Sequence, residues 1–137
     1  MKLSLKLEYA CQVLAQLGKH YGSKDLPHIE SLSKAESIPS NYLVQILNDL
    51  KNAGLIISRR GKQGGYALAK DPKEISLFDI VVGIDGELLG YSAVGDGESS
   101  RATSAAWKEV SEVLRKKTKS ITVENLMTSS ADPMWYI

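Results

Sequence analysis

Several kinds of chemistry are excluded by residues that this chain lacks. It contains one cysteine, Cys11, so it can form neither an internal disulfide nor a zinc or iron–sulfur site built only from the thiolates of one chain. A turn-forming stretch separates its two histidines, His20 and His28, and neither is followed by a second ligand three or four residues further along the chain. No nucleophile, base and orienting group form a recognisable motif. We therefore expect no catalytic site, no metal site, no cofactor and no enzymatic activity.

Long apolar runs are absent as well. Lys6 and Glu8 interrupt the first apolar residues before they reach the length of a signal peptide. No later run approaches the roughly 18 apolar residues that a membrane-spanning helix needs. The sequence therefore predicts a soluble, cytoplasmic protein without a membrane partner.

The net charge gives little support for a nucleic-acid partner until the chain is divided. The 137 residues suffice for one compact domain with an appendage, and their formal net charge is only +1. Residues 1–75 hold 11 basic and 7 acidic side chains, whereas residues 76–137 hold 6 and 9. The N-terminal part thus carries +4 and the C-terminal part −3, so a modest attraction to nucleic acid belongs to the N-terminal part.

The stretch from Pro39 to Asn52 carries the strongest helical pattern. Pro39 pre-sets a first helical turn, and apolar residues then recur on one face at helical spacing, namely Leu43, Ile46, Leu47, Leu50 and Ala53. The opposite face is polar and lacks carboxylates, although Asp49 lies at its edge; it carries Ser40, Asn41, Val44, Gln45, Asn48 and Lys51. Such a face can lie against phosphates and base edges without repulsion, so the stretch is a candidate recognition helix.

A short basic hairpin follows this helix. Gly54 predicts the end of the helix, and a β-branched strand then leads to Arg59 and Arg60. We predict a five-residue loop over residues 61–65, with Lys62 at its tip, before a returning strand that begins at Tyr66. A helix followed by a basic hairpin predicts a DNA-binding winged helix-turn-helix. The alternative is an ordinary small α+β domain whose basic residues serve solubility.

The two arginines and the residues of the hairpin tip receive specific roles in this interpretation. Adjacent residues of a strand face opposite ways, so we expect one of Arg59 and Arg60 to reach DNA and the other to brace the wing. We favour Arg60, with Lys62 and Gln63, for DNA. On the helix we expect Ser40, Asn41, Val44 and Gln45 to contact base edges. Asn48 and Lys51 are expected to lie nearer the DNA backbone.

Helical patterns also occur on either side of the wing. An apolar stripe predicts a first helix up to about Leu17, with Gly18 or Gly22 ending it; its members are Leu3, Leu7, Ala10, Leu14 and Leu17. Cys11 lies on this stripe, where it packs as a small hydrophobe or serves as a redox-sensing thiol. We expect a short second helix to start at Pro27 and to bury Ile29, Leu32 and Ala35, and a later one to start with a capping box at Ser76 and Asp79.

The C-terminal part is predicted to be an appendage. Residues 1–85 form the winged domain, residues 86–100 a flexible loop, and residues 101–137 a long helix with a tail. One stripe of that helix is apolar and comprises Ala106, Trp107, Val110, Val113 and Leu114. The stripe either folds back on its own domain or pairs with a second chain, and a two-fold dimer suits a reader of paired half-sites.

The chain resembles the Rrf2 family of bacterial regulators, the IscR-, NsrR- and CymR-like proteins, over roughly residues 1–86. The resemblance is carried by the run Tyr42-Leu43-Val44-Gln45-Ile46-Leu47, by Ala53-Gly54-Leu55-Ile56 and by Gly64-Gly65-Tyr66-Ala67-Leu68-Ala69. It implies a homodimer joined through the long helix, which binds a pseudo-palindromic operator with recognition helices in the major groove and wings toward the minor groove.

The chain also departs from that family. Many members hold an iron–sulfur cluster with three cysteines from the region matching Gly86 to Ser100 and the start of the long helix, and this region has none here. The sequence thus resembles the cluster-free members, whose signal is a small molecule, a thiol state or a partner protein. Family members often carry a polar or acidic reader at the position of Val44, so target preference does not transfer.

These observations predict a sequence-specific transcriptional regulator, a repressor, that binds double-stranded DNA as a homodimer without an iron–sulfur cluster. An alternative is a winged-helix interaction module that binds a partner enzyme through the apolar tail Met134 to Ile137, with DNA binding secondary.

Overall fold

A computed structural model describes residues 2–90 and 95–127. Its elements in chain order are α1 (Leu5–Lys19), α2 (Ile29–Glu36), α3 (Ser40–Asn52), β1 (Ile56–Arg59), β2 (Gly65–Leu68), a 3₁₀ turn (Pro72–Glu74), α4 (Leu77–Asp85), α5 (Ser100–Lys119) and α6 (Val123–Leu126). The predicted fold class, mainly helical with a small β-wing and a long C-terminal helix, is confirmed. Part of the predicted loop and the tail from Met134 to Ile137 lie outside the described residues.

The first helix begins later and ends later than its apolar stripe predicted. Ser4 caps it, because its Oγ accepts a hydrogen bond from the Leu7 amide at 3.1 Å. Leu3 precedes the helix and is 68% exposed, so its assignment to the buried stripe was wrong. Gly18 lies inside the last turn and does not end the helix; a Cβ there would lie 2.6 Å from the Met127 sulfur, so the glycine allows the chain after α6 to pack closely.

The helix-turn-helix forms as predicted, with two corrections. Helix α2 starts at Ile29, after His28, and not at Pro27. Its inner face is shorter than expected, because Leu32 is buried but Ala35 is exposed. Ser37 takes a left-handed conformation (φ 55°) in the turn that otherwise favours glycine, and the Ser33 hydroxyl donates to the Ile38 carbonyl at 2.5 Å to hold the turn closed.

The wing is a two-stranded antiparallel hairpin in which Ile56 pairs with Leu68 and Arg59 with Gly65. Its loop has the predicted five residues but spans 60–64, one position earlier than expected. Arg60 therefore lies in the loop and not in the strand. Ile56 and Leu68 are buried and anchor the hairpin to the core.

One close backbone contact fixes the wing to the segment before α2. The Tyr66 amide donates to the Pro27 carbonyl at 2.9 Å, next to Gly65. Gly65 has φ +144°, and a Cβ there would lie 2.6 Å from the same carbonyl oxygen. The wing can approach this segment so closely only because residue 65 has no side chain.

One apolar cluster joins helices α1, α2, α3, α4 and α6 and the two strands of the wing. Its fully buried members include Leu14, Leu47, Ile56, Ile80 and Val123. The predicted capping box of α4 is present, since the Asp79 amide donates to Ser76 Oγ at 3.1 Å and the Ser76 amide to Asp79 Oδ2 at 3.0 Å. No described residue of α5 is buried, so that helix contributes little to this core.

Cys11 is partly buried and packs against the core cluster. Burial disfavours the thiolate, and the nearby Glu8 carboxylate opposes it further, which together raise the pKa of the Cys11 thiol to about 11. The sulfur is thus a neutral thiol at physiological pH. Of the two interpretations of Cys11, this environment favours the packing residue.

Crossing a membrane requires a helix that is both long and apolar. No helix among residues 2–90 and 95–127 combines these two properties.

Replacing Gly65 with alanine should destabilise the fold by about 1–3 kcal/mol, because the new methyl group overlaps the Pro27 carbonyl. Gly22→Ala is the matched control, since Gly22 also has positive φ (+81°) but has open space around it. Urea unfolding of both variants measures the difference. If both variants lost the same free energy of unfolding, backbone strain and not the close approach of the wing would account for the destabilisation.

The raised pKa of Cys11 predicts slow alkylation of the folded protein. At pH 8 its thiolate fraction is on the order of a hundredfold below that of a thiol with the ordinary pKa of 9.0. We expect iodoacetamide to react roughly tenfold to a hundredfold more slowly with the folded chain than with the urea-unfolded chain at pH 8. The rate for the folded chain should keep rising toward pH 11, and equal rates at pH 8 would contradict this environment.

Candidate nucleic-acid interface

The outer face of α3 is exposed along its whole length. The inner residues Leu43, Ile46, Leu47 and Leu50 are at most 1% exposed. All six residues predicted for the outer face are exposed: Ser40, Asn41, Val44, Gln45, Asn48 and Lys51. Ala53 is exposed too, which corrects its assignment to the inner face, because it caps the C-terminal end of the helix beyond the core.

The single carboxylate of α3 is neutralised from another helix. Asp49 forms an ion pair with Lys6 of α1, and both side chains are 34% exposed. The hydrogen bond to Asp49 raises the pKa of Lys6, against the opposing effect of desolvation. This pair leaves the exposed face of α3 without an unpaired negative charge, which matters for any approach to phosphates.

Helix α3 and the wing are joined by a side-chain hydrogen bond. Lys51 Nζ donates to Ser58 Oγ at 2.9 Å, so Ser58 of β1 faces α3. Adjacent residues alternate across a strand, and Arg59 therefore faces the other side of the wing. The helix face and the hairpin thus form a continuous polar surface with Lys51 at their junction.

The tip of the wing presents the remaining predicted residues. Arg60, Lys62 and Gln63 are all exposed in the five-residue loop. Gly61 has φ +101°, which allows the chain to turn at the base of the loop. Arg60 and Gln63 also border a groove on the outer side of the wing, together with Arg59.

That groove includes residues that no sequence pattern indicated. Its other wall is the turn between α1 and α2, with His20, Tyr21 and Lys24. These residues lie far from the wing in sequence and follow no helical or strand period. The hydrogen bond from Tyr66 to Pro27 brings the turn and the wing together.

The predicted dimerisation stripe of α5 is largely exposed. Trp107 is 43% exposed, Val110 41% and Val113 64%, and Ala106 is exposed as well. Leu114 differs from the other four because it is partly buried and borders an apolar groove of about 640 Å³ between α1, α4 and α5. The apolar stripe is therefore not covered by the described part of its own chain.

The donor set of this chain does not fit the three-thiolate ligation of an iron–sulfur cluster. One cysteine per chain is present, and its thiol packs against the core. Among residues 2–90 and 95–127, no three His, Cys, Asp or Glu side chains lie close enough together to hold a metal ion.

Comparison with known proteins gives consistent matches. Residues 3–129 match the Rrf2 family, described as iron-dependent transcriptional regulators. The HTH-type transcriptional regulator CymR of Bacillus subtilis is 29% identical over 126 residues, which are 92% of this chain and 89% of that protein. The IscR regulator of Vibrio parahaemolyticus is 28% identical over 134 residues, which are 95% of this chain and 79% of that protein.

Solved structures agree with these matches. The structure of B. subtilis CymR, described as the global cysteine regulator of that organism, superposes with a TM-score of 0.80 at 28% identity and covers 93% of this chain and 96% of its own. The structure of T. potens IscR has a TM-score of 0.76 at 27% identity and covers 99% and 97%. These matches confirm the predicted resemblance and the winged-helix fold, and the matched proteins are transcriptional regulators and not enzymes. The chain therefore belongs to the Rrf2 family of winged-helix transcriptional regulators.

Proposed function

We propose that this regulator is a repressor that binds a pseudo-palindromic operator as a homodimer, without an iron–sulfur cluster. The observation that carries the proposal is the exposed, carboxylate-free face of α3, joined to a basic wing by the hydrogen bond between Lys51 and Ser58. A dimer that covers an operator overlapping a promoter would exclude the polymerase. The polar, carboxylate-free composition of this face supports a role in DNA binding over a role limited to protein partners.

We assign base reading to the N-terminal half of α3. The amides of Asn41 and Gln45 can hydrogen-bond to base edges in the major groove, and the exposed methyl groups of Val44 suit a thymine methyl. Ser40 lies at the first turn, where its hydroxyl is 3.3 Å from that of Ser33. Asn48 and Lys51, nearer the wing, suit the phosphate backbone.

The wing supplies sequence-independent affinity in this proposal. Arg60, Lys62 and Gln63 are exposed at the hairpin tip, where glycines allow close approach to the duplex. Arg59 faces the other side of the wing, where it contacts the DNA backbone. Phosphate contacts of this kind fix the register of the protein on DNA without reading its sequence.

Dimerisation is assigned to α5. Its exposed apolar side chains, Trp107, Val110 and Val113, would be covered by the same stripe of a second chain, with Ala106 allowing close approach and Leu114 at the edge. Pairing two copies also doubles the positive charge of the N-terminal domains near one duplex. The signal that controls such a dimer is a small molecule, a thiol state or a partner protein.

Replacing Gln45 with alanine should weaken operator binding by about 1–3 kcal/mol and relax specificity at one base pair of each half-site.

The double change of Arg60 and Lys62 to alanine should weaken binding to all DNA sequences alike. It should also make the salt dependence of binding shallower by about 0.9 for each phosphate that the variant no longer binds. Binding is measured on duplexes selected from a random pool, over a range of salt concentrations.

Lys73→Ala is the control for loss of positive charge, because Lys73 is exposed in the 3₁₀ turn, outside the proposed interface. It should leave both affinity and salt slope nearly unchanged. The wing assignment would be refuted if the Arg60 and Lys62 double variant bound the operator with the affinity and the salt slope of the wild type.

Introducing glutamate at both Val110 and Val113 should raise the dimer dissociation constant by about a hundredfold or more, since an unpaired charge is costly to bury. Analytical ultracentrifugation measures the association state. Lys108→Glu is the matched control, because Lys108 is exposed and lies about 200° around α5 from Val110. A double variant that still sediments as the wild type does would refute the assignment of α5.

A further inference from the structure

The groove behind the wing is cationic, and none of the described residues that line it is a carboxylate. It has a volume of about 680 Å³ and separates the α1–α2 turn from the outer face of the hairpin. Its polar and charged lining consists of His20, Tyr21, Lys24, Arg59, Arg60 and Gln63, together with Ser23. Asp25 is the carboxylate nearest in sequence, and it is exposed and does not line the groove. We call this feature the flank groove.

The cations of the flank groove have no counter-charge from the described part of the chain. Among residues 2–90 and 95–127, the one ion pair found joins Lys6 and Asp49, which line a different groove. Lys24, Arg59 and Arg60 are exposed and form no ion pair within that part of the chain. An anionic ligand would therefore not have to displace an internal partner.

Both walls of the groove are held in place by backbone hydrogen bonds. In the turn, the Tyr21 amide donates to Gly18 and the Ser23 amide donates to His20, at 3.1 and 3.0 Å. The adjacent bond from Tyr66 to Pro27 attaches the wing to the same segment. Ile57 and Ala67, which pair across the two strands, line the hairpin wall of the groove. The cationic side chains are thus carried by a turn and a hairpin whose backbones are held in place.

The position of the groove identifies its ligand. It is continuous with the wing tip, since Arg60 and Gln63 belong to both surfaces, and it lies on the side of the wing that faces away from α3. If α3 lies over the operator, the groove lies over the duplex on the far side of the wing. An elongated polyanion suits cations on two walls better than a compact anion does.

We propose that the flank groove binds the sugar-phosphate backbone of DNA beyond the base pairs read by α3. This inference rests on the proposed function and adds Lys24 and its turn to the interface. Because cations bind phosphates whatever the base sequence, the contact depends on the length of the flanking duplex and not on its sequence. It would extend the footprint of each protomer outward from the operator.

The test compares two duplexes that contain the same selected operator. One is trimmed to the shortest length that the full chain still binds, and the other carries about ten additional base pairs of unrelated sequence at each end, roughly one helical turn. We expect the long duplex to bind about three- to tenfold more tightly, with a salt slope steeper by about 0.9 for each additional phosphate bound. Changing the added sequence at constant length should leave this gain unchanged.

Lys24→Glu should abolish the gain from the longer duplex and leave binding of the short one unchanged. Lys73→Glu makes the same change of charge outside the groove and should keep the gain, which controls for long-range electrostatics. Thermal unfolding verifies that both variants fold, and Lys24→Ala, which removes the charge without reversing it, should reduce the gain partly.

Each outcome separates this inference from the proposed function. If the wild type binds both duplexes equally, or if Lys24→Glu keeps the gain or weakens both duplexes alike, the flank groove does not hold flanking DNA, although the operator assignment survives. If the wild type selects no operator from a random pool of duplexes at any salt concentration, the proposed function fails and this inference fails with it.

Discussion

Burial of one face of α3 is the constraint on which the remaining structure depends. Leu43, Ile46, Leu47 and Leu50 are at most 1% exposed, and each contributes on the order of 1.5–3 kcal/mol by leaving water. An α-helix that buries these positions must turn its intervening residues outward, because its period is about 3.6 residues. The hydrophobic core thus decides which residues of α3 are available to a partner.

The wing depends on the same core but needs two further contacts to be oriented. Buried Ile56 and Leu68 attach the base of the hairpin, while the bond from Tyr66 to Pro27 fixes one side and the bond from Lys51 to Ser58 the other. Each such hydrogen bond contributes only about 1 kcal/mol, yet together they define the angle between helix and wing. A surface made of two elements can match a duplex only if that angle is constant.

A nearly neutral chain can still present a cationic face, because its charges are distributed unevenly. The N-terminal part holds the excess of basic residues, and the ion pair with Lys6 removes the charge of Asp49 from the edge of α3. The exposed stripe of α5 is apolar, which suits contact with an identical chain better than contact with DNA. The two kinds of surface therefore belong to different parts of the molecule, as the proposed function requires.

The sequence by itself determined the elements and their exposed faces. Helical spacing located α1, α3 and α4, the capping box at Ser76 was correct, and glycines marked the hairpin to within one residue. These features depend on neighbours a few positions apart, which a sequence displays directly. Leu3, Ala35 and Ala53 were placed wrongly because the apolar period continues past the point where the core ends. Only the tertiary structure decided the pairing of Lys6 with Asp49, the bond from Lys51 to Ser58 and the groove beside Lys24, since each joins residues that become neighbours only when the core packs.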